Sequence, residues 1–198
     1  MSLKDLIIDY TKNEKDILKW TTLKGEYRYH KMINFMKDNN ISLTWSNITN
    51  YMKYDKRILY NCFKYIVILE EFFKSMIAKN SSYSEEDLLN MGFTRSLTEL
   101  TSLNAKLEFE DIDFELIKKE MEPIISFRNA IAHNKMLHGR IFFQKRKENA
   151  KTLNEILDIY RRIIPLSYRS HFVDDIYNCQ EGLGIKEEFV YFKELKIE

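Results

Sequence analysis

Arg128, Asn129 and His133 fall within six residues of one apolar segment, Phe127-Arg128-Asn129-Ala130-Ile131-Ala132-His133-Asn134, shortly after Glu122-Pro123. Arginine is a permanent cation whose planar fork suits phosphate. Histidine gives or takes a proton near neutral pH. Together they are the smallest set that can cleave a phosphodiester without a metal ion. The amide between them can orient the ring or bind phosphate.

On a helix turning about 100° per residue, Asn129 and His133 lie roughly 40° apart, while Arg128 lies roughly 140° from His133. Ile124, Phe127 and Ile131 mark the stripe to be buried. One such helix makes a poor site, because its arginine and histidine do not share a face. The plain alternative is that Arg128 pairs with Glu70, Glu71 or Glu122 and that His133 caps a carbonyl at its own helix end. The Arg-x4-His spacing alone is common by chance. The adjoining Asn, the small Ala132 and the apolar helical setting strengthen it.

In that setting the segment resembles the Arg-Asn-x-x-x-His signature of HEPN domains, found in many bacterial RNA-cleaving toxins and RNA-targeting CRISPR effectors. With Lys135-Met136-Leu137 attached, it more closely resembles Abi-like abortive-infection proteins of the AbiD/AbiF type. The likeness extends loosely from Asp55 to Ser170, but only Arg128 to His133 is specific. The resemblance implies a HEPN-like helical bundle with additional N-terminal helices. It also implies a metal-independent endoribonuclease toxin that needs no cofactor and acts in phage defence. In HEPN ribonucleases two motif helices face each other, and this chain carries a single motif. The resemblance therefore implies a homodimer with a composite site: His133 as general acid or base, Arg128 on the phosphate, Asn129 in support. The products would be a 2′,3′-cyclic phosphate and a 5′-hydroxyl. A toxin of this kind needs a restraint, either an antitoxin protein or a regulatory non-coding RNA. The competing readings are a non-catalytic RNA- or nucleotide-binding module and a purely structural dimerisation protein.

Further candidates are less specific. Tyr27-Arg28-Tyr29-His30-Lys31 alternates aromatic and basic residues. It can stack bases and pair phosphates, or form a polar helix face with snorkelling tyrosines. Lys145-Arg146-Lys147, with Lys151 a turn on, is either an RNA contact or a solvated loop and helix start. Glu70-Glu71 can face the motif helix and orient Arg128 or His133, or be one solvated and one ion-paired carboxylate. His138 lies five residues past His133, off the i, i+4 spacing that favours a shared metal, so no metal site is expected.

Composition sets the frame. The chain has 198 residues, a net charge of +1, five Gly, two Pro and two Cys. So little punctuation implies long helices. A charge near neutrality requires any RNA contact to come from local patches. Cys62 and Cys179 form no CxxC pair, and a reducing cytoplasm is the expected setting. Neither a membrane span nor a secretory leader is expected.

The pattern predicts a single all-α domain: an N-terminal helical extension over 1–54, a HEPN-like bundle over 55–180 and a tail over 181–198. The extension should be helical from about Leu3 to Asn39 with a break near Gly25, followed by a short helix capped by Ser42 or Thr44 and ending near Tyr54. Asp55 reads as the N-cap of a long helix through Lys79, with Ile58, Leu59, Cys62, Phe63, Ile66, Leu69, Phe73 and Ile77 in register. Ser84 opens a capping box. A short helix should follow Thr94, the stretch from Glu108 should be a loop, and Asp113 should cap the next helix. Pro123 belongs in the first turn of the motif helix. Helices over about 149–164 and 167–180 should follow, the first stopped by Pro165. The long helix and the motif helix should be central neighbours, since both carry wide apolar stripes.

Overall fold

The long helix is the axis of the molecule, because its apolar residues recur at three- and four-residue spacing for ten turns. In a computed structural model that describes residues 2–103, 112–143 and 147–196, the described chain is all-α. Its helices are α1 (Leu3–Leu6), α2 (Tyr10–Lys24), α3 (Glu26–Asp38), α4 (Trp45–Asn80), α5 (Glu85–Leu89), α6 (Phe93–Ser102), α7 (Phe114–Lys119), α8 (Met121–Ala132), α9 (Leu153–Ile163) and α10 (Leu166–Tyr177). No strand forms among the described residues, only an isolated bridge between Phe142 and Lys151.

Helix α4 packs against α2, α3, α6, α8 and α10, so the motif helix α8 is its direct neighbour, as expected. Ile48, Tyr51, Ile58, Cys62, Leu69, Phe73 and Ile77 are buried along it. Two expectations fail here. Phe63, read as part of the apolar register, is 51% exposed, because it falls on the side of the helix that no other element covers among the described residues. The helix does not stop at Tyr54 and restart at Asp55; it runs unbroken through both. Thr44 is the real N-cap, accepting the Asn47 N–H at 3.3 Å. Asp55 is a buried mid-helix residue, and its donors come from far along the chain.

Elsewhere the local signals hold. Ser84 closes a capping box, and Asp113 caps α7 by accepting the Leu116 N–H; Thr152, not singled out in the sequence, closes a capping box at the start of α9. Gly25 breaks α2 from α3 with a φ of 85°. The loop expected from Glu108 lies, up to Asp111, outside the described residues.

Two devices fix the ends of α8. At its start Glu120 is buried and its carboxylate lies 3.4 Å from Lys151 Nζ, which puts a negative charge at the helix's positive pole. Along its buried face Phe127 meets the rings of Phe142 and Tyr160 edge-on, and the Tyr160 hydroxyl donates to the Ile124 carbonyl at 3.1 Å. The tail also joins the core: Leu183 and Ile185 are buried, and the Phe189 carbonyl accepts the Tyr54 hydroxyl at 2.8 Å.

Candidate functional site

His133 is the C-cap of α8. Its N–H returns to the Asn129 carbonyl at 3.0 Å, the Asn134 N–H to Ile131 and the Lys135 N–H to Ala130. The last two are the paired bonds of a Schellman stop, which requires the residue after the cap to be left-handed. Asn134 meets that need with a φ of 51°, a conformation asparagine tolerates better than most residues. The backbone of His133 thus closes the helix, and its side chain is left exposed with no hydrogen bond among the described residues.

The exposed ring opens onto a cleft of about 370 Å³. Arg28, Lys31, Lys135 and Arg140 line it together with Tyr27, Asn134 and Met136, and the lining contains no carboxylate. Arg28 reaches across from α3: its Nη2 donates to the Asn134 carbonyl at 3.0 Å and its Nε to the Tyr27 hydroxyl at 3.2 Å. That bond, with the charge behind it, holds the Tyr27 phenol below its ordinary value. Lys56 of α4 also donates to the Asn134 side chain.

Arg128 is not part of that lining. Its guanidinium sits 5.9 Å from the centre of the Phe93 ring on α6, and its Nη1 lies 3.4 Å from Asn129 Oδ1. Arg128 and Asn129 are both half-buried. Within one chain, then, the arginine and the histidine of the motif look in different directions, as helix geometry requires.

Among the other sequence candidates, Arg28 and Lys31 belong to the cleft, whereas His30 lies 3.2 Å from Glu26 on its own helix. Tyr29 is buried against Trp45, so of the two tyrosines only Tyr27 offers a free face. Glu70 is engaged by Lys74 at 3.1 Å, and Glu71 is exposed. Lys145 and Arg146 lie outside the described residues; Lys147 begins a short 3-10 turn.

Compared with protein families, curated proteins and solved structures, the chain matches none. The site therefore stands on its own geometry.

The sequence reading missed the group that holds the turn after His133. Asp55 Oδ1 accepts the Leu137 N–H, the His138 N–H and His138 Nδ1, each at 2.8 Å. His138 is buried among Phe35, Tyr54 and Tyr191. This one carboxylate pins the turn that follows His133 onto the long helix. A signal was available: Asp55 keeps helical register with buried Tyr51, Ile58, Leu59 and Cys62, where a lone charge needs buried partners.

The cysteines are poor nucleophiles. Burial pushes the Cys62 thiol well up and the Cys179 thiol to about 11. Among the described residues no group of three His, Cys, Asp or Glu could hold a metal ion. No described helix is long and apolar enough to cross a membrane.

Proposed function

We propose that this protein is a metal-independent endoribonuclease of the HEPN type, acting as an abortive-infection toxin through a site shared by two copies of the chain. The observation that carries the reading is the exposed, unbonded His133 ring at the mouth of a cleft lined by four cations and no carboxylate. A general base needs access to its proton, and a phosphodiester needs positive charge around it. In the reaction His133 takes the proton of the ribose 2′-hydroxyl, and O2′ attacks the adjacent phosphorus. The P–O5′ bond then breaks, and O5′ receives a proton from His133 of the partner subunit. Arg128, turned away from its own His133, serves the phosphate in the paired arrangement.

A second copy needs a surface to bury. Tyr60, Phe63 and Val67 of α4 are 65%, 51% and 40% exposed and fall within about 60° of one another around the helix. Tyr60 also lines the groove that contains Asn134, so this apolar stripe begins beside the motif. Phe63→Glu is expected to leave the fold intact, since the ring is exposed, but to convert dimers to monomers in sedimentation and to abolish cleavage. A variant that sediments and cuts like wild type rules this face out as the interface.

The nuclease reading is tested with end-labelled RNA in EDTA. Cleavage that persists and leaves 2′,3′-cyclic phosphate ends supports it. The second reading, a binding module without catalysis, draws on the separation of Arg128 from the His133 cleft. RNA that is bound but never cut favours that one.

A further inference from the structure

The cleft at His133 does not end at α3. It shares Arg28, Asn134 and Met136 with a larger groove of about 560 Å³. There the end of α2 and the start of α3 supply Lys24 and Arg28, and the N-terminal part of α4 supplies Lys53, Lys56 and Arg57. The sole carboxylate in this lining is Asp55, and its Oδ1 already holds three donors from Leu137 and His138.

Such a concentration of one sign needs explaining in a protein of net charge +1. Surface lysines normally sit among carboxylates. Here Lys24, Arg28, Lys53 and Lys56 make no ion pair among the described residues. Lys24 rests 4.6 Å from the Trp20 ring and Lys56 5.0 Å from Tyr60. Burial, and then the charges of Arg28 and Lys24, hold the Lys56 ammonium below its ordinary value against the opposing pull of Asp55. Arg28 and Lys56 donate to neutral groups at the groove itself, to Asn134 and, for Arg28, Tyr27, whereas Arg57 is committed outside it, to the carbonyls of Cys179 and Glu181 at 3.0 and 2.8 Å. Like charges crowded without counter-charges are stabilised by an anion, and charges spaced along a groove fit a chain of anions better than a single one. Tyr27, 60% exposed, lines the cleft beside Arg28 and offers a face on which a base can stack.

We propose that this groove, built jointly by the N-terminal helices and α4, is the track for the phosphate backbone of a single RNA strand and delivers it to His133. The polyanion follows from the charges; the choice of RNA rests on the nuclease reading. The N-terminal helices are on this view the substrate-binding part of the protein, and Lys24, Arg28, Lys53 and Lys56 are the residues that meet its phosphates.

The test is fluorescence anisotropy of a short labelled single-stranded RNA with the full chain carrying His133→Ala, so that binding is read without cutting. Lys24→Glu/Lys53→Glu reverses two groove charges on exposed side chains. Lys12→Glu/Lys118→Glu makes the same change in net charge on residues outside the groove. The groove pair is expected to weaken binding by at least about tenfold and to flatten the log-affinity against log-salt slope by roughly 1.4, or about 0.7 for each phosphate no longer neutralised. The outside pair should do neither. Equal behaviour of the two pairs overturns the proposal, and so does a His133→Ala protein that binds no RNA. Wild-type cleavage of the same RNA is scored separately. A groove that binds in a protein that never cuts sinks the nuclease and keeps the track; cutting that ignores the groove charges does the reverse.

Discussion

His133→Ala is expected to slow RNA cleavage about 10²–10⁴-fold, the usual worth of a positioned general acid or base. The melting temperature should stay at the wild-type value, since exposed substitutions away from packed features stay within about 0.5 kcal/mol. The two expectations belong together because of how the residue is used. Its structural work, closing α8, is done by the backbone N–H bonded to Asn129, and alanine retains that N–H. Its ring touches no hydrogen-bonding partner among the described residues. A single-turnover rate and a thermal melt on the same preparation check both. Arg128→Ala should also lose activity, but its guanidinium lies against Phe93 and Asn129, so a change in its melt would not be diagnostic. A His133→Ala protein that cuts at the wild-type rate ends the proposed chemistry, because His133 is the one imidazole among the described residues of the cleft lining.

What could be read from the sequence was what is decided within a few residues. The caps at Ser84 and Asp113 each satisfy a donor three residues on, so the residue types alone locate them; the same local bonds at Thr44 and Thr152 were less legible, the first standing level with Ser42 and the second not singled out. The apolar register of α4 is likewise local. Asp55 misleads for the same reason: an aspartate ahead of an apolar run looks like an N-cap until its true donors are known. Those donors, at Leu137 and His138, lie more than eighty residues away. The site was partly legible. The motif's order gave His133, and helix geometry gave the divergence of Arg128. The alternating segment gave Arg28 and Lys31, but Lys53, Lys56 and Arg140 carry no local signal. Only the packing of α3 and the turn after α8 against α4 brings Lys53 and Lys56 to the groove and Arg140 to the cleft beside it.

Asp55→Ala is expected to cost about 3–5 kcal/mol, because one buried acceptor shared by three donors is removed. At roughly 2–4 °C per kcal/mol for a chain of this size, the melting temperature should fall by about 10 °C. The size follows from what is left behind. Two backbone N–H groups and one imidazole N–H lose their shared acceptor in a buried site, and each unsatisfied donor costs about 1–3 kcal/mol. Asp55→Asn keeps an oxygen for the two backbone donors and should lose less than half as much. Adding His138→Phe to Asp55→Ala should be less damaging than the sum of the two, because the ring that lost its acceptor is gone. Activity should follow the same ranking, although neither residue touches substrate. The turn they pin runs from His133 through Asn134, where Arg28 and Lys56 converge, so loosening it displaces the base and its cations together. Cleavage measured well below the melting point separates this from simple unfolding: Asp55→Asn should retain more activity than Asp55→Ala even where both are folded. An Asp55→Ala protein that melts with wild type would show that the turn is held by packing alone.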